Sequence, residues 1–360
     1  MSAPLRIMCL SNMYPGPDDP DYGAFIATMC DALEARGNRV DRVVIDHRAG
    51  GRLRTPVKYL SLLVRALRHA RRADVVYAHY LFPTGMIACI AGTVFRRPWV
   101  VTAHGRDVRN LHSRPIRRLS RPGVARARGV IAVSHFLAGD LAAALGLTRE
   151  IDVINMGVDT ERFRPTDRGA ARRDLGLPED IHLILAVGGL TERKNPLRLL
   201  AAAESLMHDH PGLRLAFVGQ GPLRDSLQRA IDQRGLSDRV ILTGAVDNAA
   251  VASWMAACDV LALPSTVEPL GVVALEALAS GRPVVATRIG GTGEVIGNAG
   301  VLVDPMDVEG IARGLAHVLG TPPAEESCVR EAARNSVSVQ AGHVERVLRR
   351  AASVSGDHDA

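Results

Sequence analysis

The sequence has little or none of several things, and each lack narrows its class. Aromatic residues make up only 4%, too few for the stacking platforms that hold single-stranded nucleic acid. No zinc-finger or RNA-recognition signature is present either, so no nucleic-acid partner is expected. No apolar run reaches the ~18–20 residues of a membrane span. The five cysteines, at positions 9, 30, 89, 258 and 328, form no CxxC pair and sit mostly inside apolar runs. They read as buried reduced thiols of a cytoplasmic protein, not as a disulfide framework or a structural zinc site. The opening Leu5–Leu10 lacks the charged, apolar and small-residue order of a signal peptide and reads as a first strand.

What is present describes a two-domain α/β chain. Its 360 residues suit two domains of roughly 150–200 residues. Hydrophobic residues at 47% and charged residues at 23% are ordinary for a globular protein. The net charge of +6 is unevenly spread: residues 1–165 carry 25 Lys and Arg against 14 Asp and Glu, which leaves 19 against 24 for the rest. A basic first half suggests an anionic partner there, a membrane surface or a phosphorylated substrate.

Short β-branched runs alternate with amphipathic stretches. In the first half they are 5–11, 40–46, 74–79, 99–104, 129–134 and 151–156; in the second, 182–189, 213–219, 239–246, 260–265, 283–290 and 301–305. Many are continuously apolar, as parallel strands covered on both faces are. Intervening segments such as 24–36, 196–207 and 223–233 read as helices, the first closed by Gly37. The fold expected is α/β, with two Rossmann-like, doubly wound parallel-sheet domains. The first covers 1–165, with a polar Pro/Gly stretch at 163–169 as the boundary. The second covers 166–352, with the option that its last helix packs back on the first. Residues 353–360 read as a frayed tail, and 321–352 as helical. Ligands of such sheets bind beyond the carboxyl ends of the strands, where the unusual residues collect.

The most distinctive segment runs from Pro264 to Ala286. A strand ends at Pro264, a loop carries Glu268, and Gly271 opens a helix to about Ala279 that bears Glu276. Unpaired N–H groups and the positive dipole end of such a helix suit a diphosphate. Eight helical residues span ~12 Å, whereas a glycosidase pair of the retaining kind needs carboxyls ~5–5.5 Å apart. Glu268 and Glu276 therefore suit two different parts of one long ligand; a surface acid beside a buried capping acid is the plainer alternative. A second segment, Val187-Gly188-Gly189-Leu190-Thr191-Glu192-Arg193-Lys194-Asn195-Pro196, takes a strand into glycines and a cationic loop, a phosphate-binding arrangement.

The Glu-x7-Glu pattern, the Gly-x-Pro-Val-Val-Ala that follows and Gly290-Gly291-Thr292-Gly293-Glu294 together resemble the retaining glycosyltransferases of the GT-B fold, and more closely those of family 4. The resemblance covers roughly residues 5–320 and implies a site in a cleft between the two domains. It gives Glu268 the hydroxyls of the donor sugar and Glu276 the ribose hydroxyls. The N–H groups of Leu270, Gly271 and Val272 would face the diphosphate. Lys194 matches a diphosphate-binding Lys, but Gly189 stands where the family commonly has Arg, which leaves Arg193 as a substitute to be tested. His104-Gly105-Arg106-Asp107 resembles the family's His-Gly-x-Asp, with His104 near the reacting sugar and Asp107 on the acceptor or orienting the loop. Tyr14 lies in the loop after the first strand, near the acceptor, and Gly23 opens the first helix near the donor phosphates. Gly188, Gly219 and Val246 would line the nucleotide.

The resemblance thus implies a retaining hexosyltransferase. It moves sugar from a nucleoside-diphosphate donor, UDP before GDP, to a hydroxyl acceptor that is lipid-linked, phosphorylated or a small molecule. A nucleotide-sugar isomerase or hydrolase, or a non-catalytic binding subunit, are the alternatives on the same fold. No cofactor and no metal are expected. Asp19-Pro20-Asp21 formally matches the metal signature of the other glycosyltransferase fold but reads as a solvated turn. A basic amphipathic helix at 58–72 and ten arginines against one acid between Arg96 and Arg128 read as a solvated face or as docking on the anionic inner face of a membrane.

Overall fold

The computed structural model describes residues 3–17, 22–47 and 55–353. The Asp19-Pro20-Asp21 turn and the tail after Ser353 lie outside the described residues. The chain divides into two compact units, residues 1–157 with 337–360, and residues 158–336.

The first unit is a six-stranded parallel sheet of order β2-β1-β3-β4-β5-β6. Its strands are β1 (Arg6–Ser11), β2 (Arg39–Val44), β3 (Val75–His79), β4 (Trp99–Ala103), β5 (Gly129–Ala132) and β6 (Asp152–Val153). Helices α1 (Ala24–Ala35), α2 (Thr55–Ala70), α3 (Thr84–Val94), α4 (Arg106–Arg109), α5 (Arg114–Ala125) and α6 (His135–Leu145) connect them. β3, β4 and β5 are buried along their whole length, which is why they read as unbroken apolar runs. β6 pairs only with β5 and keeps just two strand residues of the longer apolar run around it.

The second unit has order β12-β11-β10-β7-β8-β9. The strands are β7 (His182–Val187), β8 (Leu213–Val218), β9 (Val240–Gly244), β10 (Val260–Leu263), β11 (Val284–Thr287) and β12 (Gly300–Val303). Around them lie α7 (Arg168–Asp174), α8 (Pro196–Asp209), α9 (Arg224–Gln233), α10 (Asn248–Ala257), α11 (Val272–Ala279), α12 (Gly293–Ile296), α13 (Val308–Gly320) and α14 (Glu325–Arg334). Counted from β7, this is the 3-2-1-4-5-6 order of a dinucleotide-binding sheet, whose ligand crevice opens where the winding reverses. That point falls between β7 and β10, the two strands that lead into Lys194 and Glu268. In the first unit the reversal falls between β1 and β3.

Residues 321–352, read from sequence as helical, hold two helices. α14 ends at Arg334 and α15 (Val337–Ser353) begins in the other unit. The break lies where Val158 N–H donates to Asn335 O (3.0 Å) and Val158 bridges to Ser336. Residues 158–165, read from sequence as the end of the first domain, fall in the second unit. α15 packs on α1 and on β3, β4 and β5, with Arg36 Nε 2.6 Å from Glu345 Oε2.

Candidate functional site

In the second unit the loops after β7 and β10 meet. Thr266 N–H donates to Arg193 O (2.8 Å), and the buried Asn195, with φ 59°, donates through Nδ2 to Pro264 O and Pro305 O. This fastening brings three donors to one carboxylate oxygen. Glu268 Oε2 accepts from Lys194 Nζ at 2.7 Å, Arg193 Nη1 at 3.0 Å and Ser265 Oγ at 2.9 Å. Glu268 is 6% exposed. Burial pushes its carboxyl up, but the Lys194 and Arg193 charges and the hydrogen bonds from Lys194 and Ser265 outweigh it and hold the group below its ordinary value. Its Oε1 makes no hydrogen bond among the described residues. Two cations on one carboxylate leave a surplus positive charge.

The loop bearing Glu268 is pinned by a close backbone approach. Glu268 N–H donates to Ile289 O and Gly291 N–H to Glu268 O, and a Cβ at Gly290 (φ 123°) would lie 1.9 Å from Glu268 O. Gly271, at φ 80°, caps α11; a Cβ there would meet Leu263 at 2.8 Å and Glu268 Cγ at 3.1 Å. The N–H groups of Leu270, Gly271 and Val272 donate to nothing among the described residues, so the start of α11 offers unpaired donors beside Glu268.

Glu276 sits one turn further along α11, partly buried, and its carboxylate makes no hydrogen bond among the described residues. Burial raises it to about 7, against the pull of the Arg162 and Lys194 charges. The glycine loops explain themselves sterically. A Cβ at Gly219 would lie 2.2 Å from Gly188 O, and one at Gly221 2.4 Å from Leu190 O. Gly188 (φ 129°) has the Lys194 side chain against it, at 3.4 Å from a Cβ. Gly189 differs: its nearest contacts would be at 3.6 and 3.7 Å, and its φ is not left-handed. Val246 is partly buried in the loop after β9.

In the first unit His104 follows β4. Asp107 Oδ1 accepts from the N–H groups of His104, Gly105 and Val108, and Oδ2 from Leu81 N–H. Asp107 thus ties the ends of β3 and β4 together. Burial lifts its carboxyl above the ordinary value despite these donors. The His104 ring lies 4.6 Å from that of Tyr80 and 5.3 Å from those of Phe25 and His79. Burial depresses its imidazole to about 3, so it is neutral at physiological pH. Tyr14 Oη accepts from Arg42 Nε at 2.8 Å. Gly23, at φ 75°, caps α1 where a Cβ would lie 2.8 Å from the Met13 carbonyl.

Three contributors escape the sequence analysis. Ser265 shares Glu268 Oε2, Asn195 fastens the cationic loop, and His79 touches His104. For His79 a signal exists: it ends β3 as His104 follows β4, and the two strands are neighbours. Among the described residues no cluster of three or more His, Cys, Asp or Glu is arranged to hold a metal ion. All five cysteines are buried and free.

A family model described as Glycosyltransferase Family 4 matches residues 22–162, and one described as Glycosyl transferases group 1 matches residues 167–335. The chain is 33% identical over 269 residues to a D-inositol 3-phosphate glycosyltransferase of Segniliparus rotundus, across 70% of this chain and 60% of that protein. It is 33% identical over 316 residues to a protein of the same name from Thermobispora bispora, across 80% of this chain and 74% of that one. The chain thus spans less than two thirds of the length of the first of these relatives. Its fold is similar to that of HepE from Anabaena, solved with UDP, with a TM-score of 0.77 at 23% identity over 96% of this chain and 100% of that one. With two parallel Rossmann-like sheets and both family models matched, the chain belongs to the family 4 glycosyltransferases of GT-B fold.

Proposed function

We propose that this chain is a retaining glycosyltransferase that moves a hexose from a UDP-sugar to a hydroxyl acceptor, with the donor held by the second unit. One observation carries the reading: Lys194 and Arg193 converge on Glu268 Oε2 beside the unpaired N–H groups of Leu270, Gly271 and Val272. The surplus positive charge and the helix start suit a diphosphate. The open Oε1 of Glu268 suits a sugar hydroxyl, and Glu276 the ribose hydroxyls. HepE, solved with UDP, supports UDP as the nucleotide.

In the transfer, the bond from the anomeric carbon to the diphosphate oxygen breaks and one to the acceptor oxygen forms, while the acceptor proton passes to the diphosphate. The protein's part is to position the reactants and to stabilise charge on the leaving group. Lys194, Arg193 and the start of α11 supply that charge, and His104 in the first unit contacts the reacting sugar. Tyr14 and Asp107 shape the acceptor side, Asp107 by fixing its loop. The relatives named for D-inositol 3-phosphate and the basic first half favour a phosphorylated acceptor.

The first unit also suits an anionic membrane, the inner face of the cell membrane. Val57, Leu60 and Val64 are exposed on α2 and Ile90 and Val94 on α3, which packs against α2. Arg65, Arg68, Arg71 and Arg72 are exposed on and after α2, and Arg114, Arg117, Arg118 and Arg121 on α5, which packs against α3. No helix among the described residues is long and apolar enough to cross a membrane.

The test incubates the full chain with UDP-glucose, UDP-N-acetylglucosamine and GDP-mannose, each with and without D-inositol 3-phosphate, and follows nucleotide release and the anomeric configuration of the product by NMR. Acceptor-dependent UDP release with retained configuration is expected. Inversion, or rapid donor turnover without acceptor, overturns the reading. Sedimentation with phosphatidylglycerol vesicles, lost with phosphatidylcholine alone or in high salt, tests the membrane face.

A further inference from the structure

His79 and His104 form an imidazole pair at the carboxyl ends of adjacent strands. His79 Nδ1 lies 3.2 Å from His104 Nε2, with the ring planes 24° apart and the centroids 5.3 Å apart, so the two rings meet edge to edge. His79 is fully buried, its ring 4.4 Å from that of Tyr77, and its Nε2 is buried without a hydrogen-bond partner among the described residues. His104 is partly exposed, and its Nδ1 makes no hydrogen bond among the described residues. Burial holds both imidazoles below their ordinary value, so each ring carries one proton.

We propose that His79 is a positioning residue that fixes the tautomer of His104, so that His104 offers Nδ1–H as a hydrogen-bond donor to a sugar oxygen and accepts no proton in the reaction. This rests on the donor-sugar role given to His104 above. In a neutral pair, one nitrogen of the 3.2 Å contact carries hydrogen and the other a lone pair. If His104 Nε2–H donates, the single proton of His79 must sit on its Nε2, a buried N–H with no acceptor. If His79 Nδ1–H donates, only a lone pair at His79 Nε2 is left unpaired. Buried unpaired N–H donors are rarer and costlier than under-satisfied acceptors. The second arrangement wins, and it puts the proton of His104 on Nδ1.

The ring cannot easily rotate to exchange its nitrogens. Tyr80 and Phe25 flank it. Tyr80 is held at φ 73°, a conformation unusual for a bulky residue. Tyr80 N–H donates to Thr102 O, and Thr84 Oγ1 donates to the carbonyls of His79 and Tyr80. Such local strain persists only where the surroundings over-determine it.

Long-range 1H–15N NMR on the histidine-labelled full chain reads the tautomers directly. Protonated Nδ1 and bare Nε2 are expected on both rings. In His79→Leu, His104 should lose this single state and populate the Nε2–H form, whereas His79→Asn, which keeps an N–H donor near the Nδ1 position, should preserve it. In the transfer assay His79→Leu should lower kcat by about tenfold, the worth of one oriented hydrogen bond, with KM for the donor little changed. His79→Asn should recover most of that loss. A wild-type His104 protonated at Nε2 overturns the assignment whatever the activity. Nδ1–H on both rings without any transferase activity would uphold the tautomer and sink the role of His104 in transfer.

Discussion

Lys194 Nζ lies 2.7 Å from Glu268 Oε2, across 74 positions of sequence, and Arg193 Nη1 shares that oxygen at 3.0 Å. With side chains 17%, 30% and 8% exposed respectively for Lys194, Arg193 and Glu268, these charges meet in a partly desolvated setting where each hydrogen bond carries more than at an open surface. Lys194 holds Glu268, and the proposed function gives it a second task, meeting the leaving diphosphate. A hydrogen bond to a charged group is worth ~1.5–3 kcal/mol. Lys194→Ala should therefore lower kcat/KM by about tenfold to a hundredfold. Arg193→Ala should cost less, because Arg193 is the more exposed of the two cations and the farther from that oxygen. Steady-state kinetics of the two variants decide this, and equal losses would mean that Arg193 meets the diphosphate as directly as Lys194.

Glu276 gives a pH dependence of definite sign. Its carboxyl is raised from an ordinary 4.5 to about 7 in the unliganded protein, so under the proposed function the ribose hydroxyls would meet a largely protonated acid below that value. UDP affinity should weaken as pH falls from 8 to 6, by up to about tenfold. Glu276→Gln should remove that dependence, since the titration of UDP itself is common to both proteins. Stability runs the other way. The folded protein holds the Glu276 proton between pH 4.5 and about 7, so its contribution is fullest below 4.5 and is lost as pH rises through the window. Glu276→Gln should raise Tm at pH 8 and leave it unchanged at pH 4.5. A Tm difference independent of pH would contradict the raised carboxyl. A more stable but weaker-binding variant is the expected mark of a residue kept for its ligand.

The fold was largely legible because its strands are parallel and the central ones are covered on both faces, and each of the twelve overlaps a run read from the sequence. The misread places have physical reasons. Asn335 and Ser336 are residue types that favour helix ends, but two such residues are a weak mark inside a helical pattern; the break is fixed by the bridge to Val158, a long-range pairing that periodicity does not carry. The run at 151–156 is apolar like a strand, but at the sheet edge only Asp152 and Val153 pair in register with β5 among the described residues, and the last tie is Ile154 N–H to Ala132 O. At the site, the glycines and cations of 187–196 and the Glu-x7-Glu pattern mark their own loops. That both loops close on one oxygen follows from the reversal of winding between β7 and β10, a property of topology. His79 stayed hidden because a histidine inside an apolar strand looks like a satisfied core residue, and only the neighbouring strand reveals its partner.

Gly290 offers a test of how the Glu268 loop is held. With φ at 123° and a Cβ placed 1.9 Å from Glu268 O, Gly290→Ala forces the loop apart. A cost of about 2–4 kcal/mol is expected for an incompatible backbone site, seen as a lower Tm together with loss of UDP stabilisation. Gly235→Ala is the control. It shares a left-handed φ of 66° but nothing lies within 4 Å of its Cβ, so it should cost about 1 kcal/mol and leave UDP binding intact. If both variants bound UDP alike, the close approach of Gly290 to Glu268 would have no part in shaping the site.

Gly189 poses the opposite case, a glycine that its surroundings do not require. Its Cβ would make only ordinary contacts, with Gln220 O at 3.6 Å and Thr191 Cγ2 at 3.7 Å, and its backbone suits any residue. The position follows β7 at the reversal point and precedes the Arg193–Lys194 turn, so a long cationic side chain placed there starts beside the loop to which the proposed function gives the diphosphate. Gly189→Arg should fold with unchanged Tm and tighten UDP binding by about tenfold, the worth of one added charge-assisted hydrogen bond. The salt dependence of that binding should steepen as well. Isothermal titration at two ionic strengths separates the outcomes. Unchanged affinity in a folded variant would mean that Lys194, Arg193 and the α11 N–H groups already satisfy the diphosphate, and that this chain needs no cation at position 189.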